Sequence, residues 1–454
     1  MACLLCLAGC TVGYQGDTAD RIGWEAGYAA TDPLDVVATD GFNASERAAI
    51  TARTMARVES IRGLEFTEPV PVEIVSRAAY RNRSIRFAGS DQVDIVAEQS
   101  WEAPFVLGED RTAATALDAL FGDGVVGYYS SDTGEIVLVS DSPTPTLDRA
   151  TLAHELVHAL QDQQLPDPAP ATSRDGRLAS QALSEGAARA VERAYETACR
   201  ERWSCLDRPR GGRPPAGAIA TYQGVYLTLI QPYVSGPAFV ETLRAREEGW
   251  TAVDEAYERV PTTTAETIHP VRYPATATAN ATVTDRSTPG WSAVGTNRLG
   301  ETTIHVMFWL ERMVPRPDDA IRTSYEHPLS AGLVGDRLVA YESVTGQQGY
   351  VWRTVWESPA EAREFHDGYL RLLRFRVGAD RLAPAAEGPG KRYVIRSGPF
   401  ADAFLGRLPR DPVTIVNASS DHAPEKPHAA SRPDVAAVRH PFRANATSPL
   451  PFPP

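Results

Sequence analysis

Lysine is almost missing from this chain. Of its 45 basic residues only Lys391 and Lys426 are lysine, against 58 acidic residues, and the formal net charge is −13. No basic run interrupts the acidic excess. That excludes nucleic acid as a partner, because phosphate binding needs a clustered positive face. Long apolar stretches are missing too. Beyond the first ten residues no run approaches the roughly 20 apolar residues that a membrane span requires. Cysteine is scarce, with five in 454 residues; Cys3, Cys6 and Cys10 sit at the start, leaving Cys199 and Cys205 in the body of the chain. What remains, 43% hydrophobic and 23% charged, suits a soluble globule of one large domain or two to three ordinary ones.

The most informative stretch is residues 146–164, TLDRATLAHELVHALQDQQ. Within it His154-Glu155-Leu156-Val157-His158 makes an H-E-x-x-H pattern. At about 100° per residue on a helix, His158 lies only about 40° round from His154 and one turn along. Two imidazoles on one face can grip one ion. Glu155 lies about 60° from His158, too far round for a natural ligand but near enough to reach a water held beside the ion. Leu152, Ala153, Leu156, Val157, Ala159 and Leu160 form the opposite arc, so the spacing predicts an amphipathic helix with its back in a core. Thr146 is the expected N-cap, with Asp148 in the first turn. The plain alternative is a surface helix carrying two solvated histidines.

Around this helix the chain reads as follows. Residues 11–45 are a polar lead-in. Residues 45–62 form a helix capped by Ser45, 70–76 a strand, and 113–121 a short helix. Residues 125–130 and 135–140 form a hairpin around Ser-Asp-Thr-Gly that leads into the motif helix. Residues 178–200 are a second long helix, containing Glu185-Gly186, and 222–243 a third. After Glu266-Thr267-Ile268-His269-Pro270-Val271-Arg272-Tyr273 come a hairpin over 337–357, a helix opened by the capping box Ser358-Pro359-Ala360-Glu361 and running to about 374, and a last strand over 392–397. His305, His327 and His366 read as structural or surface residues. From 417 the chain has many prolines and no periodicity, the pattern of a disordered tail.

HELVHALQDQ, LSEGAA, PYVSGPAFV and ETIHPVRY together resemble an uncharacterised set of surface metallopeptidases found in haloarchaea and some bacteria. The motif itself resembles the zincins, and among them the gluzincins. The resemblance, over residues 20–415, implies an α+β fold. In that fold a zincin-like core over 46–300 has a small mixed sheet, an edge strand before the motif helix and a second ligand helix; an additional α/β segment follows over 301–416, with the tail at 417–454. A zinc site of this kind needs a third protein ligand, which a gluzincin takes from a Glu on the next helix. Glu185 fits, with 26 residues between it and His158. No histidine follows His158 until His269, so a metzincin's third histidine is absent. The resemblance therefore implies one Zn²⁺ held by His154, His158 and Glu185, with Glu155 as general base. Glu192, on the face of Glu185, and Asp162 are candidate partners for a ligand imidazole. His269 or Tyr273 is a candidate oxyanion donor.

Leu7-Ala8-Gly9-Cys10 resembles a lipobox, which implies a signal segment over 1–10, lipid on Cys10 and a membrane-tethered chain outside the cell. The lysine-poor acidic composition, which also resembles that of haloarchaeal proteins, suits high salt. In an exported chain Cys199 and Cys205 either close a small disulfide loop or stand as two thiols. The expected function is a cell-surface zinc metallopeptidase acting on peptide or protein substrates. The alternatives are a cell-surface binding or scaffold lipoprotein with a non-proteolytic zinc site, and a metal-dependent hydrolase of some other bond.

Overall fold

The computed structural model describes residues 21–418 apart from short internal stretches, the longest of which are 85–90, 208–215, 317–323, 385–390 and 396–403. Cys10 and the lipobox-like segment lie outside the described residues, as does the tail beyond Ala418. Among the described residues no helix is long and apolar enough to cross a membrane.

A two-residue hairpin, β1 (Trp24–Glu25) and β2 (Tyr28–Ala29), precedes helix α1 (Ala44–Arg62). The α1 cap is Asn43, not Ser45. Asn43 accepts from the Glu46 N–H while Glu46 accepts from the Asn43 N–H, and Ser45 sits in the first turn with its hydroxyl on Asn43 Oδ1. Asparagine ranks with serine as a cap, so spacing alone did not separate them. Strand β3 (Val72–Val75) and helices α2 (Arg77–Ser84), α3 (Asp91–Glu102) and α4 (Ala113–Phe121) lead to the expected hairpin, β4 (Gly127–Ser130) and β5 (Glu135–Val139). These strands form a mixed sheet in the order β3-β5-β4, with β3 parallel and β4 antiparallel to β5.

The helical middle follows: α5 (Arg149–Gln164), α6 (Arg174–Glu201), α7 (Ala216–Thr221), α8 (Gln223–Arg246), α9 (Thr251–Glu258), α10 (Thr264–Ile268) and a 3₁₀ turn at Pro270–Arg272. The α5 cap is Asp148, whose carboxylate accepts from the Ala150 and Thr151 N–H groups at 3.0 and 2.9 Å; the expected Thr146 lies outside the helix. The apolar back of α5, with Leu156, Val157 and Leu160, is buried together with Ile50 and Val58 of α1, Ile136 of β5 and Val191 of α6. Cys199 and Cys205 form a disulfide with Cα atoms 5.6 Å apart. It closes the turn after α6, where buried Arg57 of α1 lies over the Trp203 ring and donates to the Ser204 carbonyl.

Strand β6 (Trp291–Asn297) opens the second half, followed by α11 (Gly300–Leu310), β7 (Leu333–Ser343), β8 (Gln348–Trp356), α12 (Pro359–Val377), β9 (Leu382–Pro384), β10 (Lys391–Ile395), β11 (Phe404–Arg407) and β12 (Val413–Ala418). The strands make one seven-stranded antiparallel sheet in the order β6-β7-β8-β12-β11-β10-β9. The expected boundary at 300 thus falls between β6 and α11, and the sheet's first strand lies on its amino-terminal side. Helix α11 (GETTIHVMFWL) is buried on every side through Trp309. A helix without a polar face has no amphipathic period, which is why pattern reading passed over it.

The halves are joined at the start of α6. The Arg174 N–H donates to Asn297 Oδ1 at 2.9 Å, its guanidinium lies over the Trp101 ring, and the Asp175 N–H donates to the Arg298 carbonyl at 3.1 Å. The Asp175 carboxylate accepts from the Thr264 N–H and hydroxyl, both at 2.8 Å. Close by, Asp336 of β7 accepts from the Leu299 and Gly300 N–H groups at the start of α11 and from the Trp352 indole.

Candidate metal centre

Helix α5 presents His154 and His158 toward α6, and α6 presents Glu185 back. The His154 and His158 Nε2 atoms are 3.2 Å apart, and Glu185 Oε2 lies 3.0 Å from the first and 3.4 Å from the second. Among the described residues this is the one group of three or more potential ligands whose donor atoms converge in this way. A tetrahedral ion with bonds of about 2.0–2.1 Å to N and O separates neighbouring ligand atoms by about 3.3 Å. The triangle therefore has the right size. Its chemistry agrees: two imidazole nitrogens and a carboxylate oxygen turned on one another repel unless a proton or a metal cation lies among them.

The electrostatics report the same demand for positive charge. Burial disfavours charge on His154, yet hydrogen bonds to Glu185 and Glu192 outweigh it and hold the imidazole pKa up to about 10. His158 is raised as well, Glu185 overcoming burial. In Glu185 burial is outweighed by the two histidines, which pull its carboxyl well below the usual range.

Each of these three side chains is held from behind. His158 Nδ1 donates to Gln161 Oε1 at 3.0 Å, which leaves its Nε2 lone pair for the centre, and Gln161 donates in turn to the Ser184 carbonyl. His154 Nδ1 faces Glu192 Oε2 at 3.4 Å, and Glu192 is anchored by Arg189 at 2.7 Å. Glu185 Oε1 accepts from the Tyr233 hydroxyl of α8 at 2.6 Å. Burial and the Glu185 charge push that phenol well above its ordinary range, so it stays a donor. Gln161 and Tyr233 were not singled out in the sequence. Gln161 carried a signal, standing three residues after His158 on the same face. Tyr233 lies in the PYVSGPAFV stretch, but no spacing tied it to the motif helix.

Glu155 sits apart from the triangle, as its helical angle requires. Its Oε2 accepts from the Tyr129 N–H at 2.9 Å. Tyr129 lies on β4, at one edge of the small sheet, so of the two hairpin strands the one turned to the motif helix is the first. Burial raises the Glu155 carboxyl, with the two histidines opposing it.

The remaining candidates divide. Glu192 stands beside the His154 imidazole. Asp162 does not; it accepts from the Tyr129 hydroxyl at 2.6 Å and so fixes the strand to the helix. His269 Nε2 is 2.8 Å from Glu301 Oε1 of α11, and among the described residues no hydrogen bond or ion pair links it to His154, His158 or Glu185. The Tyr273 hydroxyl donates to the Arg259 carbonyl while its ring packs on Phe239.

A family described as a domain of unknown function (DUF8575) matches residues 286–427. The match takes in the strands β6 to β12 and leaves α5, α6 and α8 outside it. Comparison with curated proteins and with solved structures finds no match.

Proposed function

We propose that this chain is an exported zinc metallopeptidase of gluzincin-like architecture, tethered to the cell surface through Cys10. The observation that supports it most strongly is the convergence of His154, His158 and Glu185 on one point, with the buried carboxylate of Glu155 on the same helix. Zinc bound there would supply a Lewis acid that polarises the scissile carbonyl and makes a water easier to deprotonate. Glu155 takes the proton from the attacking water and later delivers it to the leaving amine; a carboxyl raised by burial is better matched to both roles near neutral pH. The Tyr129 N–H orients that carboxylate. The backbone of β4 beyond it offers an edge on which an extended peptide can lie.

Burial favours a second reading. His154, Glu155 and Glu185 are only 8%, 9% and 2% exposed, a closed setting that also suits a non-proteolytic metal site in a surface-binding lipoprotein. One paired experiment separates the two. Purified wild type and Glu155→Gln are assayed for zinc content and for cleavage of an unfolded protein. The peptidase reading expects about one zinc per chain in both, with turnover in the variant lower by about 10²–10⁴-fold. Equal cleavage by both overturns the mechanism, and zinc in both with cleavage by neither favours the binding reading.

A further inference from the structure

Glu185 is the one ligand with two possible donor atoms, and its two oxygens are treated differently. Oε2 faces both imidazoles, whereas Oε1 is taken by the Tyr233 hydroxyl at 2.6 Å. The Tyr233 ring stacks near the His154 ring, with centroids 6.5 Å apart and planes 19° from parallel, and the Arg189 guanidinium lies 5.8 Å from the Tyr233 centroid. The phenol is thus fixed by a ligand ring and by the arginine that anchors Glu192.

The reach from α8 to Glu185 depends on a close helix crossing. A Cβ added to Gly186, the residue after Glu185, would stand 2.3 Å from the Gly236 carbonyl oxygen; one added to Gly236 would stand 2.3 Å from the Ala182 carbonyl oxygen. Backbone cannot give way to such overlap, so only glycine lets the two helices touch here. Gly236 lies three residues past Tyr233, on the same face of α8. The crossing therefore sets the distance at which the phenol meets the carboxylate.

From this we infer that Tyr233 is a positioning residue which restricts Glu185 to a single-oxygen ligand, with the Gly186–Gly236 crossing as the device that holds it in place. The inference rests on the metal-centre reading above. The hydrogen bond to Oε1 would compete with two-oxygen binding, and a single-oxygen Glu185 would leave room at a bound ion for a reacting group.

The test uses the full chain loaded with Co²⁺ alone, whose visible spectrum reports coordination number, and Zn²⁺ competed against a chelator. Tyr233→Phe keeps the ring and both stacking contacts and removes only the hydroxyl. The expected result is a weaker, higher-coordinate cobalt spectrum together with zinc affinity lower by about 10–100-fold. Gly186→Ala should move both readouts the same way by displacing α8, with circular dichroism confirming the fold. An unchanged spectrum and affinity in Tyr233→Phe overturns the inference. So does weaker binding with an unchanged spectrum, which marks a merely structural tyrosine. Wild type that takes up no Co²⁺ removes the metal-centre reading itself, and the two failures are thereby told apart.

Discussion

His154 and His305 are buried to nearly the same degree, at 8% and 2% exposure, yet the protein treats them in opposite ways. Around His154 stand Glu185, Glu192 and Glu155, and its pKa is held up to about 10. His305 lies against the Tyr325 ring; burial, helped by the nearby His327, presses its pKa down to about 4. Burial alone makes a histidine neutral and inert. Burial with converging carboxylates makes a place that draws in a cation. The difference separates a cluster of converging polar groups in the helical middle from the apolar setting of His305 on α11.

Removing the carboxylates should erase the contrast. Glu185→Ala is expected to have the largest effect: zinc retention should fall by more than the 10–100-fold that loss of an outer partner typically costs. Equilibrium dialysis against a chelator measures it, and full occupancy in the variant would take Glu185 out of the centre. Glu192→Gln keeps size and hydrogen bonding but removes the charge behind His154, and zinc affinity should drop by about tenfold on the same assay.

The other side of the comparison is a matter of pH. The folded-state pKa of His305, about 4, lies below its ordinary 6.5. The unfolded chain therefore binds more protons between those values, and the stability contribution is present above pH 6.5 and lost as pH falls toward 4. At pH 5 that loss is on the order of 2 kcal/mol relative to neutral pH. His305→Phe should remove it, so thermal unfolding compared at pH 5 and pH 7 should show a smaller acid loss in the variant.

Asp175 has the opposite sign. Burial, with the Asp336 charge beside it, raises its pKa from 3.8 to about 6. The folded state holds the proton more tightly, so this contribution is complete below pH 3.8 and is lost as pH rises through 6. The two groups offset one another across the same range. Asp175→Asn should therefore steepen the acid loss by on the order of 1–2 kcal/mol between pH 7 and 5, a smaller effect than that of His305→Phe. An unchanged slope would mean that Asp175 stays ionised in the fold.

What could be read from residues alone follows the same division. The motif helix, the hairpin before it and the shared face of His154 and His158 were legible because local periodicity determines them. Glu185 was reached through resemblance, and the structure puts its carboxylate beside both imidazoles. Tyr233 stayed hidden because it meets Glu185 only through a crossing of two helices 48 residues apart in sequence. The caps of α1 and α5 were misplaced by two residues because Asn, Asp, Ser and Thr compete for that position. Helix α11, buried on every side, gave no period to read, and β11 and β12 are short strands whose existence depends on pairing with β8 and β10.

Helix α6 has one further mechanical meaning. It is a rod of 28 residues, about 42 Å long, and Glu185 rides near its middle. Its first turn is socketed against Asn297 and Arg298, between β6 and α11 and inside the span matched by the domain of unknown function. The second half thus serves as the abutment of that rod. A chain cut at residue 285, before the matched span, would keep His154, His158 and Glu185 yet leave Asp175 and Arg174 without Asn297 and Arg298, the wall they lean on. The ligand helix would then be free to pivot, and the centre would lose its shape from a distance of ten residues.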